Sequence, residues 1–375
     1  MAGIYIHIPF CKTRCSYCDF YTGTNEIQMD ALVDALCAEV RIRKDEIPES
    51  MKSIYFGGGT PSRLHRGHFD KIFDVLQQYF AIEPTAEITV EANPDDLSES
   101  YVEMLSRLPV NRLSIGIQSF NDRELKFLSR RHSAQEAIDA VKRCQQHGFE
   151  NISIDLMYGL PEQTEEIWQY NLAQAIVLDV PHISSYHLIY EEKTRMYRLL
   201  QAGKIKPVGE EASTTLFAML IDGLTSHGYV HYEISAFGKE GYSSRHNSAY
   251  WKNEKYLGLG PAAHSFDGDS RSLNIPSLIR YIKGVESGIL NREIEQLTLK
   301  EKYNEAVLTG LRTMWGLDLA AITIRFGEEF YHYCLQNAQK YIEKKLLKTE
   351  GDRLKLTRDG IFISDGIMSD LMWVG

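Results

Sequence analysis

Cysteine is scarce: six in 375 residues, too few to staple a disulfide scaffold of this size. A basic excess is missing as well. Lysine and arginine number 41 against 51 acidic residues, a formal charge of −10, so no basic face for a general nucleic-acid binder is expected. No apolar run approaches the roughly 18 residues of a membrane-spanning helix. The opening MAGIYIHIPF lacks the basic start and long apolar stretch of a signal peptide. No internal repeat or low-complexity tract interrupts a composition that is 43% hydrophobic and 25% charged, which excludes collagen-like and disordered chains. The expected compartment is the cytoplasm, where disulfides are rare and clustered cysteines read as metal or redox sites.

What is present is ordered. From the start to about residue 190, short β-rich runs alternate with longer amphipathic stretches. Strands are predicted at 4–8, 53–56, 87–91, 112–118, 152–157 and 182–189. Helices are predicted at 31–43, 69–80, 134–147 and 165–178. Strand-then-helix units imply parallel strands, in a doubly wound sheet or a barrel. Polar residues recur just after strand ends, at 57–60, 91–93, 118 and 155; in a barrel those ends share the rim where active sites are built. Beyond residue 190 the pattern loosens: a helix at 210–227, a strand at 232–237, then a loop rich in His, Asn, Tyr and Trp. The last ninety or so residues read as helix, helix, a longer helix at 328–345, and a strand pair around Glu350-Gly351-Asp352, the order of a winged helix. From Lys300 onward, 11 basic and 11 acidic residues balance, which favours a structural or protein-facing role there over DNA binding. The boundaries expected are 1–285 and 286–375.

The cysteines are unevenly placed. Cys11, Cys15 and Cys18 form CxxxCxxC after the first predicted strand, while Cys37, Cys144 and Cys334 stand alone. Isolated cysteines inside helices behave as small hydrophobes. Three thiolates in one loop can wrap a soft metal centre but leave it one ligand short of four. A [4Fe–4S] cluster with one open iron fits that count; a zinc site with a distant fourth ligand, or three unrelated buried thiols, are the other readings.

CxxxCxxC with Tyr17 and Phe20 flanking Cys18 resembles the signature of the radical S-adenosylmethionine (SAM) superfamily. The resemblance implies a partial parallel (β/α)6 TIM-like barrel, an α/β fold, here with a small α+β winged-helix-like C-terminal domain. It implies that the open iron chelates SAM, whose reductive cleavage yields methionine and a 5′-deoxyadenosyl radical. It also implies SAM contacts. Gly57, Gly58, Gly59 and Thr60 stand in the GGTP segment, where glycines allow close backbone approach. Glu91 in EANP, Gln118 in GIQSF, Arg130 in LSRRHS and Asp155 in DLMYGLP match polar contacts, and Tyr5 precedes the cysteines in IYIHIPF. Read singly, each could be a rim residue or a helix cap.

YIHIPFCxxxCxYC, YFGGGTPS, EANP, SIGIQSF and DLMYGLPxQT together resemble the oxygen-independent coproporphyrinogen oxidase group, over nearly the whole chain. The true oxidase carries a fourth cysteine two places after the third. Here Phe20 holds that place, and only ten residues precede Cys11, where the oxidase has a long segment. Both departures favour the haem-chaperone branch. His246-Asn247-Ser248-Ala249-Tyr250 resembles the HNxxY haem motif of that branch. Neutral imidazole can ligate haem iron, and Tyr250 and Trp251 offer flat apolar surface. The other reading of the segment is a polar loop packing aromatics under the barrel.

The function this implies is a chaperone that binds a [4Fe–4S] cluster, SAM and haem and delivers haem to a respiratory protein, with an electron donor such as flavodoxin or ferredoxin and a peripheral association with the membrane. The alternative is anaerobic oxidation of coproporphyrinogen III to protoporphyrinogen IX. For the substrate's propionates, Lys193, Arg195 and Arg245 are the candidate partners.

Overall fold

The structure, a computed structural model, describes residues 2–374. Six strands pair in parallel in chain order: β1 (Ala2–Ile8), β2 (Met51–Gly58), β3 (Ile82–Ala92), β4 (Arg112–Gln118), β5 (Ile152–Tyr158) and β6 (His182–His187). Such strands are covered on both sides, so both faces are rich in buried residues. On β1, Ile4, Ile6 and Ile8 pack outward under the helix Met29–Arg43, while Gly3, Tyr5 and His7 face the concave interior. That interior is unusually polar. Ser53, Glu87, Glu91, Arg112, Ser114, Asp155 and His182 come from the inward positions of neighbouring strands.

The sequence expectation of one strand at 232–237 is corrected. Two strands stand there, β7 (Val230–Glu233) and β8 (Ala236–Gly238), as a hairpin on the β6 edge. The chain turns at Ile234 and Ser235 because neighbours take their backbone groups. Ile234 N–H donates to Arg312 O at 3.1 Å, and Ser235 O accepts from Ser185 N–H at 2.7 Å.

The other edge was not anticipated. β9 (Lys255–Leu259) lies parallel to β1, and β10 (His264–Phe266), β11 (Ser270–Asn274) and β12 (Arg292–Gln296) continue antiparallel. The twelve-stranded sheet is therefore an open, curved half-barrel with β7 and β12 as its edges. It runs past residue 285, the boundary expected from sequence. A buried Arg43–Glu39 pair stitches this late segment to the first helix. Arg43 donates to Glu39 at 3.0 Å and to Gly258 O at 2.7 Å, and Glu39 accepts from Gly260 N–H, Asn274 and Tyr281.

A second core gathers residues 303–371. The helices Leu299–Leu311, Leu319–Phe326 and Glu328–Glu343 precede the hairpin β14 (Leu347–Glu350) and β15 (Arg353–Leu356), which β13 (Leu317–Asp318) joins. This is the winged-helix-like order, with the added helix Ser364–Leu371. No helix among the described residues is long and apolar enough to cross a membrane.

Candidate metal and cofactor site

Cys11, Cys15 and Cys18 are free thiols on the loop after β1, facing a cavity of about 390 Å³ at the strand C-termini. The loop is held from several sides. Cys11 N–H donates to Gly23 O at 2.9 Å, Ser16 N–H to Leu128 O at 3.2 Å, and Met196 N–H to Ser16 O at 2.8 Å. Thr60 Oγ1 donates to Cys11 Sγ, and Arg130 Nη1 to Cys15 Sγ, each at 3.4 Å. Burial pushes the Cys18 thiol up to about 11 and raises that of Cys11, so a metal must displace protons to bind.

Gly58, Gly59, Thr60, Glu91, Gln118, Arg130 and Asp155 line the same cavity, as the motifs implied. Gly58 sits at φ +103°, and a Cβ there would lie 2.4 Å from His7 Nδ1. A Cβ on Gly59 would fall 2.8 Å from Ile8 O and 2.9 Å from Phe10 O, so glycine is the residue that lets this strand end pass under the cysteine loop. Gln118 takes the left-handed conformation at φ +71°, a strained choice for a non-glycine residue at a strand end. Arg130 also donates to Asn93 Oδ1 at 2.6 Å and to Gly116 O, which aims its guanidinium between the thiols and the β3 end. Glu91 accepts from Tyr55 OH at 2.8 Å. Burial lifts Glu91 to about 7 and Asp155 to about 6, each further raised or lowered by charged neighbours. Both stand on the cavity wall and are half-buried.

Two expected contacts lie elsewhere. Gly57 stands below the cavity, where an added Cβ would meet the Tyr55 and Tyr5 rings at 2.9 and 3.0 Å. Tyr5 does not reach the cavity. Its hydroxyl bonds His7 Nδ1 at 3.1 Å, and His7 Nε2 donates to Tyr21 O at 2.9 Å, so the pair supports the loop from beneath. Residues missed by sequence reading are Ser114, Gly116, Met157 and Tyr186. The signal was available: each lies two positions from a residue already on the inner face, or two beyond one such as Ser184, as the period of a strand requires.

His246, Asn247 and Tyr250 are at the opposite end, near the strand starts. The expected loop is a helix, Arg245–Trp251, capped by Ser244 Oγ accepting from Asn247 N–H at 3.2 Å. Its first amides point at a buried carboxylate: Arg245 N–H and His246 N–H both donate to Glu87 at 3.0 Å. His246 is 1% exposed. Its ring stacks on Tyr55 with centroids 5.0 Å apart, and its nitrogens are bonded to Ser53 Oγ and Tyr250 OH, each at 2.8 Å. In this arrangement no imidazole nitrogen is open to an iron. Burial, with Arg112 nearby, lowers its pKa to about 3 and keeps it neutral. Lys193, Arg195 and Arg245 do not line the cysteine cavity; its basic lining residues are Arg14 and Arg130.

The donor set tests well against an iron–sulfur cluster. Three thiols from one loop line one cavity, and Phe20, two positions after the third, lines it as well and is 60% exposed. Arg130 Nε and Thr22 Oγ1 are buried without a hydrogen-bond partner, polar capacity that a polar ligand in the cavity can use.

A half-barrel with three cysteines at its mouth defines a radical SAM protein, and the model of the Radical SAM superfamily matches residues 5–170. The model of the HemN C-terminal domain matches residues 297–363. The heme chaperone HemW of Bacillus subtilis is 34% identical over 98% of both chains. HemW of Escherichia coli is 37% identical over 70% of this chain and 69% of its own. In fold, the chain is similar to the radical SAM enzyme coproporphyrinogen III oxidase (HemN) of Escherichia coli, with a TM-score of 0.85 at 23% identity, over 99% of this chain and 90% of that one. The chain belongs to the HemW family.

Proposed function

We propose that this protein is a haem chaperone: it carries a [4Fe–4S] cluster on Cys11, Cys15 and Cys18, holds SAM in the adjoining cradle, and passes haem to a respiratory protein. The observation that carries the reading is the three-thiol cavity with exposed Phe20 at the fourth position, in a chain that is similar from end to end to proteins named heme chaperones. When bound, the cluster supplies an open iron for the amino-acid end of SAM and a single electron. The chain's own residues do the rest. The Gly58–Gly59 backbone gives close approach, and Arg130 places positive charge beside the Cys15 thiolate and a carboxylate ligand. Glu91 and Asp155 offer acceptors for hydroxyls and a counter-charge for a sulfonium.

Oxidation of coproporphyrinogen is the weaker reading, because the lysine and arginines proposed for its propionates lie outside the cavity. A flavodoxin or ferredoxin is the proposed electron source, approaching over exposed Phe20. The proposed compartment is the cytoplasm, with haem handed over at the membrane surface. The test is anaerobic reconstitution with iron and sulfide, then parallel incubation with haem and with coproporphyrinogen, SAM and reductant. Stoichiometric haem binding without porphyrinogen turnover is expected. Turnover would overturn the chaperone reading.

A further inference from the structure

We propose that Asp30, His65 and His68 form a second metal site, apart from the three cysteines, that takes a divalent transition ion of the zinc class. One donor atom from each residue lies within 4.8 Å of the other two. The site is independent of the haem reading.

Two helix starts assemble it, on the rim that carries the cysteine loop. Asp30 is in the first turn of the helix Met29–Arg43, which follows that loop. His65 stands at the cap of the helix Arg66–Tyr79, and His68 is its third residue. A spacing of three puts both imidazoles on one side of the helix start, where their rings stack with centroids 3.4 Å apart. His68 is buried, and its Nε2 lies 2.7 Å from Asp30 Oδ1. Its Nδ1 accepts a long bond from His65 N–H, at 3.4 Å. Asp30 and His65 are exposed, so an ion from solvent reaches the site. The buried imidazole is the fixed donor, and the two exposed side chains adjust to it. Donors around one tetrahedral zinc stand roughly 3–3.5 Å apart, a spacing that rotation of Asp30 and His65 supplies.

The donor set names the ion. Two imidazoles and one carboxylate suit zinc and its neighbours, whereas magnesium and calcium take oxygen ligands. Three protein ligands leave a fourth place for water. The bond from His68 to Asp30 has the form in which a metal takes the place of a proton. The ion binds Nε2, the proton moves to Nδ1, and the 3.4 Å contact is given up. Capping alone does not call for this set, because one Ser, Thr, Asp or Asn serves a helix start. Nearby cations are already paired: Arg66 with Asp70 at 2.8 Å, Lys71 with Asp34 at 2.9 Å, and Arg63 with Glu26 at 2.6 Å. Their charge is offset before an ion arrives.

An ion held here joins the segment leaving the cysteine loop to the segment leaving β2. The Arg63–Glu26 pair joins the same two segments, and Thr60, on the second of them, donates to Cys11 Sγ. The metal therefore braces the cysteine loop from outside its cavity.

The experiment dialyses the untagged, cluster-loaded chain against zinc and counts bound zinc and iron by mass spectrometry. The wild type is expected to hold a single zinc besides its full cluster iron, and to melt at a higher temperature with zinc than without. His65→Ala and Asp30→Asn, both at exposed positions, are each expected to weaken zinc binding by at least about tenfold, a loss that even an outer-shell partner can bring. Cluster iron and SAM binding should be unchanged in both. Cobalt in place of zinc should give ligand-field bands without a thiolate charge-transfer band. A wild type that binds no zinc, unchanged affinity in either variant, or a thiolate band from cobalt would overturn the site. Zinc bound without a rise in melting temperature would overturn the brace.

Discussion

His246 Nδ1 lies 2.8 Å from Ser53 Oγ, joining a helix of the late chain to the second strand of the half-barrel. With Nε2 on Tyr250 OH, the imidazole is a buried strut. Replacing it with alanine leaves two hydroxyls unsatisfied and opens space against Tyr55. His246→Ala is expected to cost about 2–4 kcal/mol in chemical denaturation, and Tyr250→Phe about 1 kcal/mol. Haem affinity of the folded fraction should stay near wild type. Loss of haem binding in a variant of wild-type stability would show that the imidazole serves the cargo instead.

The thiols divide by environment. Cys15→Ala should abolish the cluster's visible absorbance and SAM binding after reconstitution. Cys37, Cys144 and Cys334 are buried in helices, with Cys37 Sγ donating to Lys71 O at 3.6 Å. Replacing all three with alanine should keep full iron content and cost about 1 kcal/mol each. Iron loss in that triple variant would refute the ligand assignment.

Gly58 tolerates no side chain. At φ +103° with His7 beneath, Gly58→Ala should destabilise the fold by about 1–3 kcal/mol and weaken SAM binding more than tenfold or so. Equilibrium dialysis with labelled SAM reads this directly. Wild-type affinity would remove the backbone from the SAM cradle.

Glu91 and Asp155 give a pH signature. Their ordinary values are about 4.3 and 3.9, and the fold raises them to about 7 and about 6, chiefly by burial. The ligand-free folded chain therefore holds protons that the unfolded chain has lost. Their contribution makes the protein less stable as pH rises from about 4 through about 7. SAM carries a sulfonium cation and favours the ionised pair, so binding at pH 6.5 should release protons. Calorimetry in two buffers of different ionisation enthalpy measures the number. Equal release by the Glu91→Gln, Asp155→Asn double variant would remove the effect from these groups.

Arg43 and Glu39 are both fully buried. Removing one partner strands the other's charge, so Arg43→Met should cost about 3–5 kcal/mol, more than removing both. A double-mutant cycle in urea tests it. Additivity of the two single losses would show that the charges are uncoupled.

The parts of the site legible in the sequence are those encoded locally. The cysteine spacing places three thiols on one loop. The run 112–118 is found with its bounds unchanged, because a strand covered on both faces carries its own apolar signal and Gln118 ends it abruptly. The helix Arg245–Trp251 was read as a loop because it is short and polar. Its stability comes from Glu87, a carboxylate 158 positions away from Arg245. Tyr5 matches its motif by position alone, and the sequence carries no sign that its hydroxyl bonds His7 Nδ1.

β1 carries the cysteine loop and lies between β2 and β9. During synthesis its first neighbour, β2, begins 43 residues later. The second, Lys255–Leu259, follows after some 247 further residues, on the order of 10–50 s later at ordinary elongation rates. For that interval the thiols exist on a nascent chain whose flank is unsealed and whose Arg43 still lacks Gly258. The wall behind the thiols is thus closed by the late chain, so the strand that carries the cysteine loop is sealed on both flanks only once residues 255–259 are in place.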